Sequence, residues 1–257
     1  MEPTMDTNEK TTQKSIFPSL IIGVCIVLSA IVLTLGFVRI RQGFEDSISA
    51  TGSASLDFES DLVVWRGSFS RHAATSKAAY SQLEADQERV RSYLVEQGIP
   101  EKDFTFSSDS IYKSYRDNYD TNGNYIGTVQ DGYNLSQDVT VTSQDLDTVQ
   151  EVSRDISTLL SSGIEFTSDN PEYYCTTLDQ IKLDLIRDAT ENARARIEII
   201  SEETGASLGK LRNSSLGVFQ ITARNTGTSN YSYDGYFDTS SREKTATITV
   251  TLRYGLR

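Results

Sequence analysis

The hydrophobic positions of this chain fall into unbroken, helically spaced and alternating runs. The unbroken run covers residues 16–38 (IFPSLIIGVCIVLSAIVLTLGFV) and carries no charge. As a helix rising about 1.5 Å per residue it reaches roughly 35 Å, enough to cross a hydrocarbon core of about 30 Å. A secretory signal has a shorter apolar core, about 7–15 residues, and a small-residue cleavage site soon after it. Here Arg39 and Arg41 close the run, and Ile48-Ser49-Ala50 lies well beyond that stop. A core helix would keep a polar face, whereas only Ser19, Ser29 and Thr34 interrupt this one. The pattern predicts an uncleaved transmembrane anchor over 16–38. A disordered cytoplasmic tail (1–15) precedes it, and a spacer (39–46) leads to one ectodomain (47–257).

Within that domain the period alternates between two and 3.6. Residues 61–70 set Val63, Trp65 and Phe69 against Val64, Arg66 and Ser68, a strand with one apolar face on which Trp65 is a core anchor. Ala79, Leu83, Val90 and Leu94 mark a helix over 76–97, with Thr75 as N-cap and Gly98 and Pro100 as stop. Leu146, Val149, Val152, Ile156 and Leu159 mark a second helix over 145–162, with Ser143 near its N-cap and Gly163 ending it. A third, over 178–204, runs Ile181, Leu185, Ala189, Ala193, Ile197 and Ile200 down one side. Thr177 and Gln180 have the spacing of a capping box for it. Opposite lie Asp184, Arg187, Asp188, Glu191, Arg194 and Glu198, a solvated face. Further strands are predicted over 47–56, 104–119, 125–142, 164–176 (bent at Asn170-Pro171), 216–222 and 244–254. The order ββαββαβαββ is an α+β fold of antiparallel sheets packed with three amphipathic helices.

Candidate chemistry is sparse. Asn118, Asp120, Asn122 and Gly123 open with the spacing of a calcium loop, but position twelve is Val129 where a bidentate Glu is required. Asn122-Gly123 between β-rich runs predicts instead a hairpin closed by a type I′ turn. Cys175 is the only thiol outside the anchor, since Cys25 lies within it, and His72 is the only histidine. A Cys175–His72 pair would support nucleophilic catalysis if the fold brought the two together; one of each cannot build an all-protein zinc site. No glycine-rich nucleotide motif follows a strand. No catalytic residue, cofactor or metal is therefore expected. The segment 225–243, with Tyr231, Tyr233, Tyr236 and Phe237, has the Tyr/Gly/Ser composition of adaptable binding loops, and a ligand-binding module is the other alternative.

Charge narrows the partners. Four of the 24 basic and three of the 36 acidic residues fall at or before Arg41, so the remainder carries a net charge of −13. An acidic domain of this kind excludes nucleic acid and an anionic lipid surface as partners. Lys10 and Lys14 before the apolar run balance Arg39 and Arg41 after it, so the positive-inside rule does not orient it.

Several short motifs together resemble the SIMPL-domain family of bacterial periplasmic and surface proteins. Ala50-Thr51-Gly52-Ser53-Ala54 is similar to its opening strand. The helix over 75–94 followed by Gly98-Ile99-Pro100-Glu101-Lys102-Asp103-Phe104 is similar to its first helix junction. Gly132-Tyr133 and Asp145-Leu146-Asp147 resemble the segment before its second helix. Asp188-Ala189 through Gly205-Ala206-Ser207-Leu208-Gly209 resembles its signature helix. The chain departs from the pattern at Ser60-Asp61, at Asn192, Arg196 and Ile199 in place of alanines, and at Glu202-Glu203. The resemblance covers about 47–257. It implies an α+β fold, a place outside the cytoplasmic membrane and a tendency to self-assemble. Some relatives form rings or channels, and some are linked to oxidative-stress defence without an assigned reaction. The expectation is a single-pass inner-membrane protein, anchored through 16–38, whose non-enzymatic domain forms a homo-oligomer or binds an envelope protein partner.

Overall fold

A computed structural model describes residues 16–42, 47–226 and 232–257. The tail expected over 1–15 lies outside the described residues. Helix α1 (Ile16–Gln42) continues four residues past the apolar run, through Arg39 and Arg41. Its stretch Leu20–Phe37 has mean hydropathy 2.8 and buries none of its residues. Thr34 donates its hydroxyl to the Ala30 carbonyl at 2.6 Å, so that polar group is satisfied within the helix, as a lipid environment requires.

The chain forms two compact units, α1 falling in the smaller. The larger comprises Gly52–Asn192 with Leu216–Val250. At its centre β2 (Leu62–Ala73) pairs antiparallel with the 19-residue β5 (Tyr125–Ser143), from Val63↔Ser143 to Ala73↔Tyr133. On the outer side of β5 lie β3 (Phe104–Phe106) and β4 (Ser110–Tyr119). On the outer side of β2 lie β6 (Glu165–Ser168) and β7 (Glu172–Tyr174). The run expected as one strand over 104–119 is therefore two. Ser107 breaks it by accepting the Asp138 N–H on its hydroxyl at 3.0 Å, a side chain taking the place of a ladder partner. The 164–176 strand divides at Asn170-Pro171, as the proline demands.

Two helical segments cover one face of this sheet. Helix α2 (Ser76–Glu96) starts at Thr75, whose hydroxyl accepts the Ala78 N–H at 3.2 Å. The helix expected over 145–162 is two, α3 (Leu146–Asp155) and α4 (Thr158–Ser161), broken at Ile156-Ser157 where β-branched and hydroxyl side chains cluster. Asp145, not Ser143, caps α3 by accepting the Thr148 N–H at 3.1 Å; Ser143 accepts the Asp145 N–H instead. Val63, Trp65, Phe69, Leu83, Leu94, Val139, Val141, Val149 and Ile164 fill the core between helices and sheet. Trp65 is fully buried, and its indole N–H is satisfied by Ser168 Oγ at 3.0 Å and the Asp169 carbonyl at 3.1 Å.

A second sheet runs in the order β1 (Ser47–Glu59), β11 (Glu243–Leu256), β9 (Gln220–Ala223), β10 (Tyr236–Phe237), with β8 (Leu208–Leu216) also on β11. The strand expected over 216–222 is split between β8 and β9 at Gly217, whose N–H donates to the Thr249 carbonyl at 2.9 Å. Helix α5 (Leu178–Thr204) buries Leu185, Ala189, Ala193 and Ile197. Ile200 is 42% exposed and Ser201 takes its place in the stripe, so the expected stripe ends one turn early. Gln180 reaches forward to Asp184 at 3.2 Å rather than back to Thr177, so no capping box forms. The smaller unit contains residues up to Thr51, Ala193–Ser215 and Thr251–Arg257. Within it Arg196 donates to the Thr51 carbonyl at 2.9 Å, and the Thr51 and Thr251 hydroxyls share a hydrogen bond of 2.7 Å.

Candidate functional site

The structure keeps His72 and Cys175 apart. Tyr174, next to Cys175, pairs with Leu62 at the start of β2, whereas His72 pairs with Asn134 ten residues further along the same strand. At roughly 3.3 Å per residue the separation is about 30 Å. His72 Nδ1 lies 2.8 Å from Asn134 Oδ1, and Cys175 Sγ lies 3.4 Å from the Thr177 hydroxyl. They form no catalytic pair.

Of the aromatic segment 225–243, residues 227–231, Tyr231 among them, lie outside the described residues, and the part from 232 includes a short strand. Tyr236-Phe237 form β10, parallel to β9, and Asp238 N–H continues the pairing onto the Ile221 carbonyl at 2.9 Å. Behind it Lys244 is buried, its ammonium donating to the carbonyls of Tyr173 (2.5 Å) and Asp238 (2.6 Å) and lying 5.4 Å from the Phe237 ring. Burial pulls the Lys244 ammonium below the usual lysine range, with the Asp238 charge pushing back. The Asp238 carboxyl is raised by its own burial, yet the Ser241 and Ser240 hydroxyls and Lys244 together hold it below the usual carboxylate range. With its carbonyl acceptors in place, Lys244 bolts β7, β10 and β11 together and is not a free nucleophile. Among the described aromatics of this segment only Tyr233 projects fully, 94% exposed, beside an open depression of about 570 Å³ lined by Leu216, Val218, Thr247 and Thr249.

Apart from α1, the β4–β5 hairpin is a predicted element with many exposed apolar side chains. Pairing with β2 stops at Ala73↔Tyr133, but the β4–β5 ladder continues to Tyr119↔Tyr125. Gly132 lets β5 leave the sheet. Its φ is +152°, and a Cβ there would meet the Ala73 carbonyl oxygen at 2.5 Å. Beyond it the two strands form a free arm about 15 Å long, at roughly 3.3 Å per residue. Its tip is not the expected type I′ turn. Gly123 N–H donates to the Asp120 carbonyl at 3.0 Å and only Gly123 has positive φ, the longer loop of a type I turn followed by a left-handed residue. Asp120 closes that loop by accepting from the N–H groups of Asn122 and Asn124, both at 2.8 Å. These bonds, led by that of the Asn124 side chain, hold its carboxyl below the usual range.

Ile111, Tyr112, Tyr115, Tyr119, Tyr125 and Ile126 on this hairpin are each more than half exposed. The rings of Tyr119 and Tyr125 meet edge to face at 5.9 Å. Among the described residues β4 pairs only with β5, so its outer edge is unpaired. The sequence pattern predicts the hairpin but not its exposure. The available signal was the absence of polar–apolar alternation over 110–126, which means no buried face. Nor does the pattern reveal the buried pair of Asp86 with Arg71, whose guanidinium makes two hydrogen bonds to the carboxylate, Nη2–Oδ1 at 2.9 Å. Among the described residues no group of His, Cys, Asp and Glu is arranged to hold a metal ion.

The molecule is thus an antiparallel α+β domain behind a long apolar helix, with glycines at 98 and 205 ending two of its helices. The chain belongs to the SIMPL family, described as a protein family of unknown function (DUF541), whose family model matches residues 48–254. No curated protein matches the chain.

Proposed function

We propose that this chain is a single-pass, membrane-anchored, non-enzymatic domain of the bacterial envelope that works by self-assembly. In this reading α1 spans the cytoplasmic membrane with Met1 inside, and the domain from residue 47 lies outside. The observation that carries it is the β4–β5 arm: an unpaired strand edge flanked by exposed tyrosines, the kind of surface that recruits another polypeptide. The separation of about 30 Å between His72 and Cys175 removes the one catalytic pairing the composition offered. The family resemblance extends the reading to oxidative-stress defence, read out as peroxide sensitivity of cells lacking the chain.

The test is the mass of the full-length protein solubilised in detergent, by sedimentation equilibrium. A multiple of the 28.6 kDa chain is expected. A strictly monomeric mass at high concentration refutes self-assembly. The depression beside Tyr233 favours a second reading, ligand capture by the 225–243 segment. A ligand whose binding is abolished by Tyr233→Ala, in a protein that stays monomeric, would select it.

A further inference from the structure

We propose that β4 pairs antiparallel with β4 of a second copy, in the register that sets Tyr115 opposite Tyr115. This rests on the self-assembly reading and names its interface. Two register shifts occur in the β4–β5 ladder, at Ser114/Tyr115 and Asn118/Tyr119, and both place the extra residue in β5, as Asp131 and then Ile126. Strand β4 therefore keeps unbroken alternation and presents a continuous edge. Ile111, Lys113, Tyr115, Asp117 and Tyr119 face one side, and Tyr112, Ser114, Arg116 and Asn118 the other.

Charged side chains on an edge strand ordinarily prevent edge-to-edge pairing. Here they choose a register instead. A two-fold antiparallel pair places each residue opposite the one equally far beyond its centre, with both on the same face. Centring on Lys113, Arg116 or Asp117 brings that charge against its own copy, and like charges directly opposite are destabilising. Centring on Ser114 sets Lys113 against Tyr115 and Arg116 against Tyr112, with no ion pair. Centring on Tyr115 sets Lys113 opposite Asp117 twice, by symmetry. The same register sets Ile111 opposite Tyr119, Tyr112 opposite Asn118, and Ser114 opposite Arg116. Each apolar or aromatic side chain on the Tyr115 side then meets another, and each charge on that side meets its opposite. The segment is complementary to itself, so a second copy is the occupant its chemistry fits.

The test uses the full chain in detergent and two single variants, Asp117→Lys and Lys113→Asp. In either variant alone, both symmetric pairs become like-charged. Each is expected to weaken self-association by at least about tenfold. An equimolar mixture restores both unlike pairs, because the first variant carries lysine at both positions and the second carries aspartate at both. The mixture is expected to recover wild-type association as a heterodimer. Both residues are exposed, and unchanged circular dichroism checks that the fold is retained. With Cys25 and Cys175 replaced by serine, Tyr115→Cys is expected to form a disulfide dimer on mild oxidation, and Ile111→Cys is not. If wild type assembles while the single variants match it, or the mixture fails to recover, this register is wrong and self-assembly stands on another surface. If wild type is monomeric throughout, both fall.

Discussion

Asp86 lies in the apolar stripe of α2, between Leu83 and Val90, and is 1% exposed. A carboxylate in that position requires a cation, because an unpaired buried charge costs several kcal/mol. Arg71 supplies it from the helix-facing side of β2, in step with Val63, Trp65 and Phe69. Its guanidinium is held above the usual arginine value by the hydrogen bond to Asp86. Arg71→Ala removes both of its hydrogen bonds to that carboxylate and leaves only the exposed Arg89 guanidinium, 3.6 Å away, so it is expected to lower unfolding free energy by about 3 kcal/mol. Chemical denaturation measures this, and the double variant with Asp86→Leu should regain much of the loss. Arg187→Ala, at the exposed pair with Asp184, should cost less than about 1 kcal/mol. Asp145 gives a pH-dependent counterpart. The Thr148 hydroxyl first, then the Thr148 N–H, hold its carboxyl below the ordinary value. The folded state thus binds that proton less readily than the unfolded chain. Its stabilisation is complete above about pH 4 and is lost as pH falls through the lowered value. Asp145→Ala is expected to cost about 1 kcal/mol at pH 7, and thermal melts of variant and wild type should converge toward about pH 2.

At the scale of elements, the glycine stops at helix C-termini were the most legible part of the sequence, whereas the starts expected at Ser143 and at Thr177–Gln180 were not. After α2, Gly98 N–H donates to the Val95 carbonyl and Ile99 N–H to that of Leu94, at 3.0 and 2.9 Å, and Ile99 is buried. Gly163-Ile164 repeats this pair of bonds after α4, with Ile164 fully buried. In each case a left-handed residue turns the chain and an apolar residue pins it to the core. Trp65 and the stripe of α5 were legible for a related reason: burial leaves a period in the sequence. The ladder partners of each strand leave none. The arm, the distance from His72 to Cys175 and the joining of β7 to β10 all follow from register, which local pattern does not specify. The Gln180–Asp184 contact shows a side chain choosing between two permitted partners, a choice beyond propensity. Ala193 tests the inward face of α5, where Leu185, Ala189, Ala193 and Ile197 are buried as expected and Ile200 is not. Ala193 is fully buried while Glu191 is exposed. Ala193→Leu should overpack and cost about 1–3 kcal/mol, whereas Glu191→Leu should leave the melting temperature nearly unchanged. Equal tolerance of both would refute the assigned face.

For the whole molecule, charge and symmetry limit what assembly can look like. The region after Arg41 carries a net charge of −13, so copies repel at long range and the proposed assembly has to rest on short-range contacts. That repulsion is screened beyond about 10 Å at 0.1 M salt, and in the proposed anchored form a shared bilayer would raise local concentration. An isologous β4 contact closes a dimer, and a ring built from such dimers needs a second, different surface. The proposed anchorage leaves one question that basic residues do not answer, since two precede the apolar run and two follow it. In the proposed orientation the whole region from residue 47 faces away from the cytoplasm. The exposed arm, with its tip at 120–124, then meets external protease before any compact segment does, because cleavage favours exposed loop tips. Protease added to intact spheroplasts is therefore expected to cut the domain, with the earliest fragments ending near that tip. Deletion of 116–129 should slow this first cut. Full protection in intact spheroplasts, with cutting only after lysis, would place the domain in the cytoplasm.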